Sequence, residues 1–230
     1  MKEFFTTSVF FCVLITVGSY LFGCFLKKKF HFKILNGMII SIAILIPAVI
    51  FLPMDLADYQ ANTKVLNFFL TPATICLAIP LYEQFEKLKS NWKAILGGII
   101  AGVLANLVSV LGFCLLLKIG HTEYVSLLPK CVTTAIGLSL SSELEGVPAI
   151  TMAAIVITGN LGNIFAEHLC KLFRIKNEVA RGVAIGTSSH VLGTAKAMEI
   201  GEVEGAMSSL SIAVAGLLTV VGSTFFVKFI

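Results

Sequence analysis

The chain has 230 residues, of which 57% are hydrophobic and only 13% are charged, and its formal net charge is +4. Soluble globular chains carry about 25% charged residues, so the composition excludes a soluble protein and indicates an integral membrane protein. At roughly 20 residues for each span, the chain has no room for a separate soluble domain. We therefore expect one membrane domain over residues 1–230, in which the positive charge bears on orientation and no nucleic acid is bound.

Eight apolar segments follow one another along the chain. Five are uninterrupted and read as full spans: residues 4–26, 34–52, 94–117, 148–170 and 205–229. Three contain Pro, Gly, Ser and Thr: residues 67–82, 127–144 and 179–199. Interrupted helices are tolerated at membrane depth where protein or a water-filled cavity surrounds them. The sequence therefore predicts an all-α polytopic membrane protein with about five full transmembrane helices and three interrupted or re-entrant segments.

Internal repeats support this division. An offset of 57 residues brings these pairs into register: Pro72 with Pro129, Glu86 with Glu143, Gly102 with Gly159, and Asn106 with Asn163. A weaker third copy follows, in which Thr134-Ala135 resembles Thr194-Ala195. The biased composition can also produce matches of this kind.

The positive-inside rule favours a topology in which residues 127–144 re-enter and residues 179–199 cross. That arrangement puts Lys228 inside and leaves these lysines outside: Lys2, Lys64, Lys118 and Lys130. It also makes 34–117 and 148–229 two units of opposite orientation, which is the arrangement of inverted-repeat transporters.

The third interrupted segment carries the most unusual polar groups. Gly186 and Gly193 bracket a run of hydroxyl residues and a histidine, and we predict a helix break at these two glycines. A helix that resumes near Gly193 would present free N–H groups to an anion. The candidate substrate contacts are Ser188, Ser189, His190, Thr194 and Lys196. The alternative is that Lys196 pairs with Glu199 and that His190 has a structural role.

The other interrupted segments differ in charge. In the second, Pro129 predicts a break, and Lys130, Thr133 and Thr134 are candidate anion contacts. The alternative for Lys130 is an interfacial lysine at the end of a span. The first segment is broken at Pro72 and Pro80 and has no inner cation, so we interpret it as scaffold. Asn106, inside a full span, either bonds a neighbouring helix or contacts the solute.

Signatures of catalysis are missing from the sequence. It contains no G-x-x-x-x-G-K-[ST], H-E-x-x-H or G-x-S-x-G motif, and its only aspartates, Asp55 and Asp58, fall in a predicted loop. We expect no enzyme activity, no catalytic residue, no cofactor and no metal site.

Four stretches carry a resemblance to a known family. They are residues 71–84 (TPATICLAIPLYEQ), 129–140 (PKCVTTAIGLSL), 180–199 (ARGVAIGTSSHVLGTAKAME) and 204–210 (EGAMSSL). In order and spacing they resemble the LrgB/CidB family of bacterial membrane proteins, over nearly the whole chain. Departures include Lys196, where the family leads us to expect an arginine, which would weaken a bidentate grip on a carboxylate.

The resemblance implies a multi-pass protein of the bacterial cell membrane and two functional hypotheses. In one, the protein acts with a small holin-like partner of the LrgA/CidA type to modulate murein hydrolase export and autolysis. In the other, the pair carries small organic anions such as pyruvate or glycolate. Interrupted helices with cationic residues favour the second. The expected partners are therefore a small organic anion, the holin-like protein, the lipid bilayer and further copies in a homo-oligomer.

Overall fold

The computed structural model of the protein describes residues 8–30, 37–51, 55–69, 72, 75, 76, 79 and 82–230. These residues are helical almost throughout, and the described part of the chain contains no strand. The predicted all-α class is confirmed. Pro72 has helical backbone, whereas Pro80 and most of the first interrupted segment lie outside the described residues.

The chain divides into two compact units, Met1–Cys76 and Leu77–Ile230. In the first unit, α1 (Val9–Phe30) packs on α2 (Gly37–Phe51) and on α3 (Leu56–Thr63), and a 3-10 segment follows at Lys64–Phe69. Ser19 and Ser41 link α1 to α2 through a 2.8 Å bond between their hydroxyls. A single domain over residues 1–230 stays a prediction.

The second unit contains the longest helices and the two described interrupted segments. Its elements are α4 (Phe85–Leu117), α5 (His121–Leu127), α6 (Thr134–Glu143), α7 (Pro148–Leu172), α8 (Glu178–Ile200) and α9 (Glu202–Phe226), followed by a 3-10 turn at Val227–Phe229. The helices α4, α7 and α9 are long and apolar enough to cross a membrane, as is α1 in the first unit. The predicted spans at 94–117, 148–170 and 205–229 are thus helices, and α4 begins earlier than expected.

The helix α8 is folded back on itself. His190 has φ 43° and ψ −141°, a backbone that L-residues rarely adopt, and it divides α8 into a first arm (178–189) and a second arm (191–200). In a straight helix, residues eight apart lie about 12 Å apart. A Cβ built on Gly193 would instead lie 3.1 Å from the Ile185 side chain. We call this element hairpin 2, because another hairpin, described below, precedes it in the chain.

The neighbours of hairpin 2 confirm the reversal. Gly182 and Gly186 of the first arm approach Glu204 and Ser208 of α9 in ascending order. In the second arm the order descends: Thr194 bonds Ser208, and Met198 approaches Gly205. Each arm is at most about 18 Å long, roughly half of a ~30 Å hydrocarbon core. The predicted crossing by residues 179–199 is therefore wrong, because the segment begins and ends at the same end of the unit.

Helices α5 and α6 form a second reversal, hairpin 1, around the turn at residues 128–133. The Tyr124 hydroxyl donates to the Phe226 carbonyl over 2.8 Å, which fixes the base of the hairpin beside the end of α9. The return arm passes back along the first, since Val147 N donates to Ser126 Oγ over 2.7 Å. Re-entry by residues 127–144 is what the sequence predicts.

The two hairpins insert from opposite ends of the unit. Hairpin 1 follows the end of α4. Helix α7 then runs in the direction opposite to α4 and leads to the base of hairpin 2. The same-end placement of the α4 start and the hairpin 2 base follows from a 3.8 Å ion pair between Lys87 and Glu178. A span followed by a hairpin thus occurs twice with opposite direction, and the sequence repeat itself stays a prediction.

Charge distinguishes the two ends of this unit. The end that carries the base of hairpin 2 bears Lys87, Lys89, Lys93, Lys171, Arg174, Lys176 and Arg181. The opposite end bears Lys118 and Lys228. The positive-inside rule assigns the first of these ends, the basic end, to the cytoplasm. Lys228, which the predicted topology puts inside, lies at the other end because hairpin 2 does not cross.

Candidate functional site

A cavity of about 750 Å³ lies where the two hairpin tips approach the middle of α4 and α7. Its polar lining comes from these residues: Asn106, Ser109, Lys130, Cys131, Thr158, Thr187, Ser188 and Ser189. Apolar and small residues complete it, including Gly102, Leu161, Gly162 and Phe165. Four predicted substrate contacts, Asn106, Lys130, Ser188 and Ser189, are thus brought together from three separate parts of the sequence.

Lys130 is the cation of this cavity. Its Nζ donates to Asn106 Oδ1 over 2.5 Å and contacts Cys131 Sγ at 3.3 Å. Among the described residues, no carboxylate lies within 4.0 Å of Lys130 Nζ. A half-buried ammonium group that is held by neutral partners keeps its positive charge available to an anion.

Another part of the cavity lining comes from the end of the first arm of hairpin 2. The Ser188 and Ser189 hydroxyls lie 3.0 Å apart, and Ser188 also donates to the Ala184 carbonyl over 2.8 Å. The Thr187 hydroxyl is buried, and no described group bonds it. Gly162 of α7 is required here, because Ser189 occupies the space where a Cβ would stand.

Two asparagines hold the two hairpin tips in the same way. Asn106 Nδ2 of α4 donates to the Leu128 carbonyl in hairpin 1 over 3.4 Å. Asn163 Nδ2 of α7 donates to the Leu192 carbonyl in hairpin 2 over 2.8 Å. These asparagines are paired in the predicted 57-residue repeat. Asn106 thus has the interhelical role that the sequence left open, and it also lines the cavity.

His190 and Thr194 have structural positions outside the cavity lining. His190 is 4% exposed, and its Nε2 bonds the Ile155 carbonyl over 3.0 Å. A carbonyl only accepts, so the imidazole donates from this nitrogen. Thr194 is fully buried and bonds the His190 carbonyl and Ser208 Oγ. Both residues fix the tip of hairpin 2 against α7 and α9.

Lys196 lies away from the cavity, near the basic end of the unit. Its Nζ is 3.0 Å from Glu199 and 3.9 Å from Glu167. This is the pairing that the sequence offered as the alternative to substrate contact. The group of charges there surrounds a separate cavity of about 280 Å³ that also contains Arg181 and Lys171.

Comparison with known proteins identifies the chain. The model of the LrgB-like family matches residues 16–229. Antiholin-like protein LrgB from Bacillus mycoides (strain KBAB4) is 34% identical over 98% of both chains. The same protein from Bacillus cereus (strain B4264) and from Bacillus anthracis (strain CDC 684 / NRRL 3495) gives the same figures. The chain belongs to the LrgB-like family. No solved structure matches it.

Family membership and the membrane-spanning helices make this LrgB-like chain a bacterial membrane protein. The family resemblance predicted from the sequence is confirmed. The predicted helix breaks need correction, since Gly186 and Gly193 have helical backbone and the break falls at His190 between them. Two hydrogen bonds stabilise the unusual backbone of His190: its side chain bonds the Ile155 carbonyl, and Thr194 donates to the His190 carbonyl.

Of the predicted contacts around Pro129, only Lys130 lies in the cavity lining. Pro129 lies in the turn of hairpin 1, whereas α6 begins only at Thr134, with Thr133 as its N-cap and no side-chain bond at that cap. Thr133 and Thr134 do not line the cavity. Sequence reasoning missed Thr187 and Cys131, which do. The one sequence signal that could have added them to the predicted site is that they are adjacent in the chain to Ser188 and Lys130.

Proposed function

We propose that this LrgB-like protein carries a small monocarboxylate, such as pyruvate or glycolate, through the cavity between the hairpin tips. The observation that carries the proposal is Lys130, a cation that lines the cavity and has no carboxylate partner among the described residues. A buried positive charge in a membrane protein is costly and is usually kept because it handles an ion or a solute.

The rest of the lining supports an anion with a short polar body. The hydroxyls of Ser188 and Ser189 can donate to a second carboxylate oxygen or to a keto or hydroxyl group. The second arm of each hairpin also begins near the tip, so the positive ends of two helix dipoles lie at this depth.

The proposal extends to a partner. The relatives are named antiholin-like proteins, and we infer that this chain acts with a small holin-like membrane protein of the LrgA type. Murein hydrolase activity and autolysis then respond to the flux of the carboxylate across the membrane.

Uptake of labelled pyruvate into liposomes tests the proposal, with the purified chain alone and with the holin-like partner. Loss of a charge-assisted hydrogen bond costs about 1.5–3 kcal/mol, so Lys130→Ala should lower uptake by about 10- to 100-fold. Lys130→Arg keeps the charge and should retain part of the uptake. Lys89→Ala removes an exposed lysine at the basic end and should leave uptake unchanged.

A second function, regulation of a holin-type pore without any carried solute, is favoured by the name of the relatives. It predicts no saturable pyruvate uptake with or without the partner, together with a change in the leak of uncharged dyes. Equal uptake by wild type and folded Lys130→Ala would also count against the carboxylate site.

A further inference from the structure

A basic pocket lies at the basic end of the second unit, where α7 ends and α8 begins. It has a volume of about 320 Å³ and is lined by Cys170, Lys171, Arg174, Ile175, Lys176 and Arg181. Four of these six residues are cations and none is a carboxylate. We refer to it as the basic pocket. It is separate from the cavity between the hairpin tips.

The charges of the basic pocket are incompletely neutralised. Lys171 pairs with Glu167 at 2.7 Å, and Arg181 pairs with Glu204 at 2.9 Å through one of its terminal nitrogens. The Nε of Arg181 is buried, and no described group accepts its proton. Arg174 and Lys176 have no carboxylate within 4.0 Å in the described chain. The pocket therefore has a surplus of donors and of positive charge.

The backbone fixes the rim of the pocket. Arg174 has φ 55°, and its N–H donates to the Lys171 carbonyl over 3.1 Å. Ile175 N donates to the Cys170 carbonyl over 2.8 Å. These two bonds close the end of α7 and hold Arg174 over the helix end, where its guanidinium group can meet a ligand in the pocket.

Apolar side chains lie immediately beside these cations. Leu172, the last residue of the membrane-spanning helix α7, and Phe173, which follows it, are 72% and 70% exposed. Acyl chains in the bilayer would cover such a surface, and a headgroup joined to those chains would be held at the height of the basic pocket. A free anion would make no use of the apolar residues.

We propose that the basic pocket binds the phosphate of an anionic phospholipid in the cytoplasmic leaflet. Arginine matches phosphate oxygens with paired N–H donors, and the lysines add point charges. Basic pockets between transmembrane helices on the cytoplasmic side are suited to anionic headgroups. The bound phosphate contacts Arg181, which ties hairpin 2 to Glu204 of α9, so the lipid stabilises the base of this hairpin. The site does not depend on the carboxylate proposal.

Thermal unfolding of the full chain in detergent, with added phosphatidylglycerol or phosphatidylcholine, tests this site. Phosphatidylglycerol should raise the unfolding midpoint, and phosphatidylcholine should not. Each basic residue near a membrane surface adds about 1 kcal/mol to lipid attraction, so the double variant Arg174→Gln/Lys176→Gln should need about 30-fold more phosphatidylglycerol for the same shift. Both residues are exposed, so the variant should fold.

The matched control is Lys89→Gln/Lys93→Gln, which removes two charges at the same end but outside the basic pocket. It should respond to phosphatidylglycerol as the wild type does. Equal losses in both double variants would show a general charge effect and overturn the pocket. Inorganic phosphate forms a separate arm: a shift as large as that of the lipid, with no further gain from phosphatidylglycerol, would identify a free phosphate site and overturn the lipid.

Discussion

Replacement of Gly182 by alanine should push hairpin 2 slightly away from α9 and destabilise the protein. A Cβ at Gly182 would lie 2.5 Å from the Glu204 carbonyl oxygen and 3.0 Å from the Glu204 Cα. Both are backbone atoms of a packed helix, so the helices must move apart by about 1 Å to reach ordinary contact. Overpacking of this kind costs about 1–3 kcal/mol. The shift also strains the buried pair between Arg181 and Glu204.

The matched control is Gly97→Ala in α4, where an added Cβ meets nothing within 4 Å. Both variants gain the same helix propensity, up to about 1 kcal/mol, so their difference isolates the contact. For a chain of this size, Gly182→Ala should unfold about 2–12 °C below Gly97→Ala in detergent. Equal unfolding midpoints would refute the close approach of the first arm of hairpin 2 to α9.

Three further predictions concern single side chains. Lys196→Ala should leave pyruvate uptake unchanged and lower stability by less than about 1 kcal/mol, since its pair with Glu199 is partly exposed; an uptake loss as large as that of Lys130→Ala would contradict this. Thr187→Val keeps the side-chain volume and removes a buried hydroxyl that no described group bonds, so the unfolding midpoint should hold or rise while pyruvate uptake stays unchanged; a lower midpoint would show that this hydroxyl has a bonding partner. Asn163→Leu should leave the Leu192 carbonyl without its 2.8 Å donor and cost about 1–3 kcal/mol, measured by thermal unfolding; no loss would show that this bond does not hold the tip.

The full spans could be predicted from the sequence because each is a long apolar run. The predicted span 148–170 nearly coincides with Pro148–Leu172. The start of α4 at Phe85 was missed because its first turns are polar and lie beyond the apolar part of the helix. Hydropathy marks what lies in lipid and does not mark where a helix begins outside it.

The path of α8 could not be predicted from composition. An apolar segment of this length can cross a bilayer or fold back within one half of it, and both satisfy hydropathy. The reversal depends on one residue, His190, and on close contacts of Gly182 and Gly186 with a helix that follows in the chain. Such contacts are tertiary and leave no local signal.

The candidate site was predicted in part, for a related reason. Lys130 and Ser189 were selected because each is polar within an interrupted segment, and the fold brings them to one cavity. Lys196 satisfied the same criterion, but a carboxylate three residues later neutralises it. Thr187 carries a hydroxyl like its neighbours, and only the arrangement of neighbouring groups shows that it has no bonding partner among the described residues.

The most direct test of a carboxylate site between the hairpin tips is the rate at which a small thiol reagent alkylates Cys131 in the absence and presence of pyruvate. Cys131 lines the cavity beside Lys130, and Cys170, also 7% exposed, lies outside it and serves as the internal control. We predict that pyruvate slows alkylation of Cys131 alone, and that this protection is lost in Lys130→Gln. Equal rates at Cys131 with and without pyruvate, in a protein that takes up pyruvate, would contradict a carboxylate site between the hairpin tips.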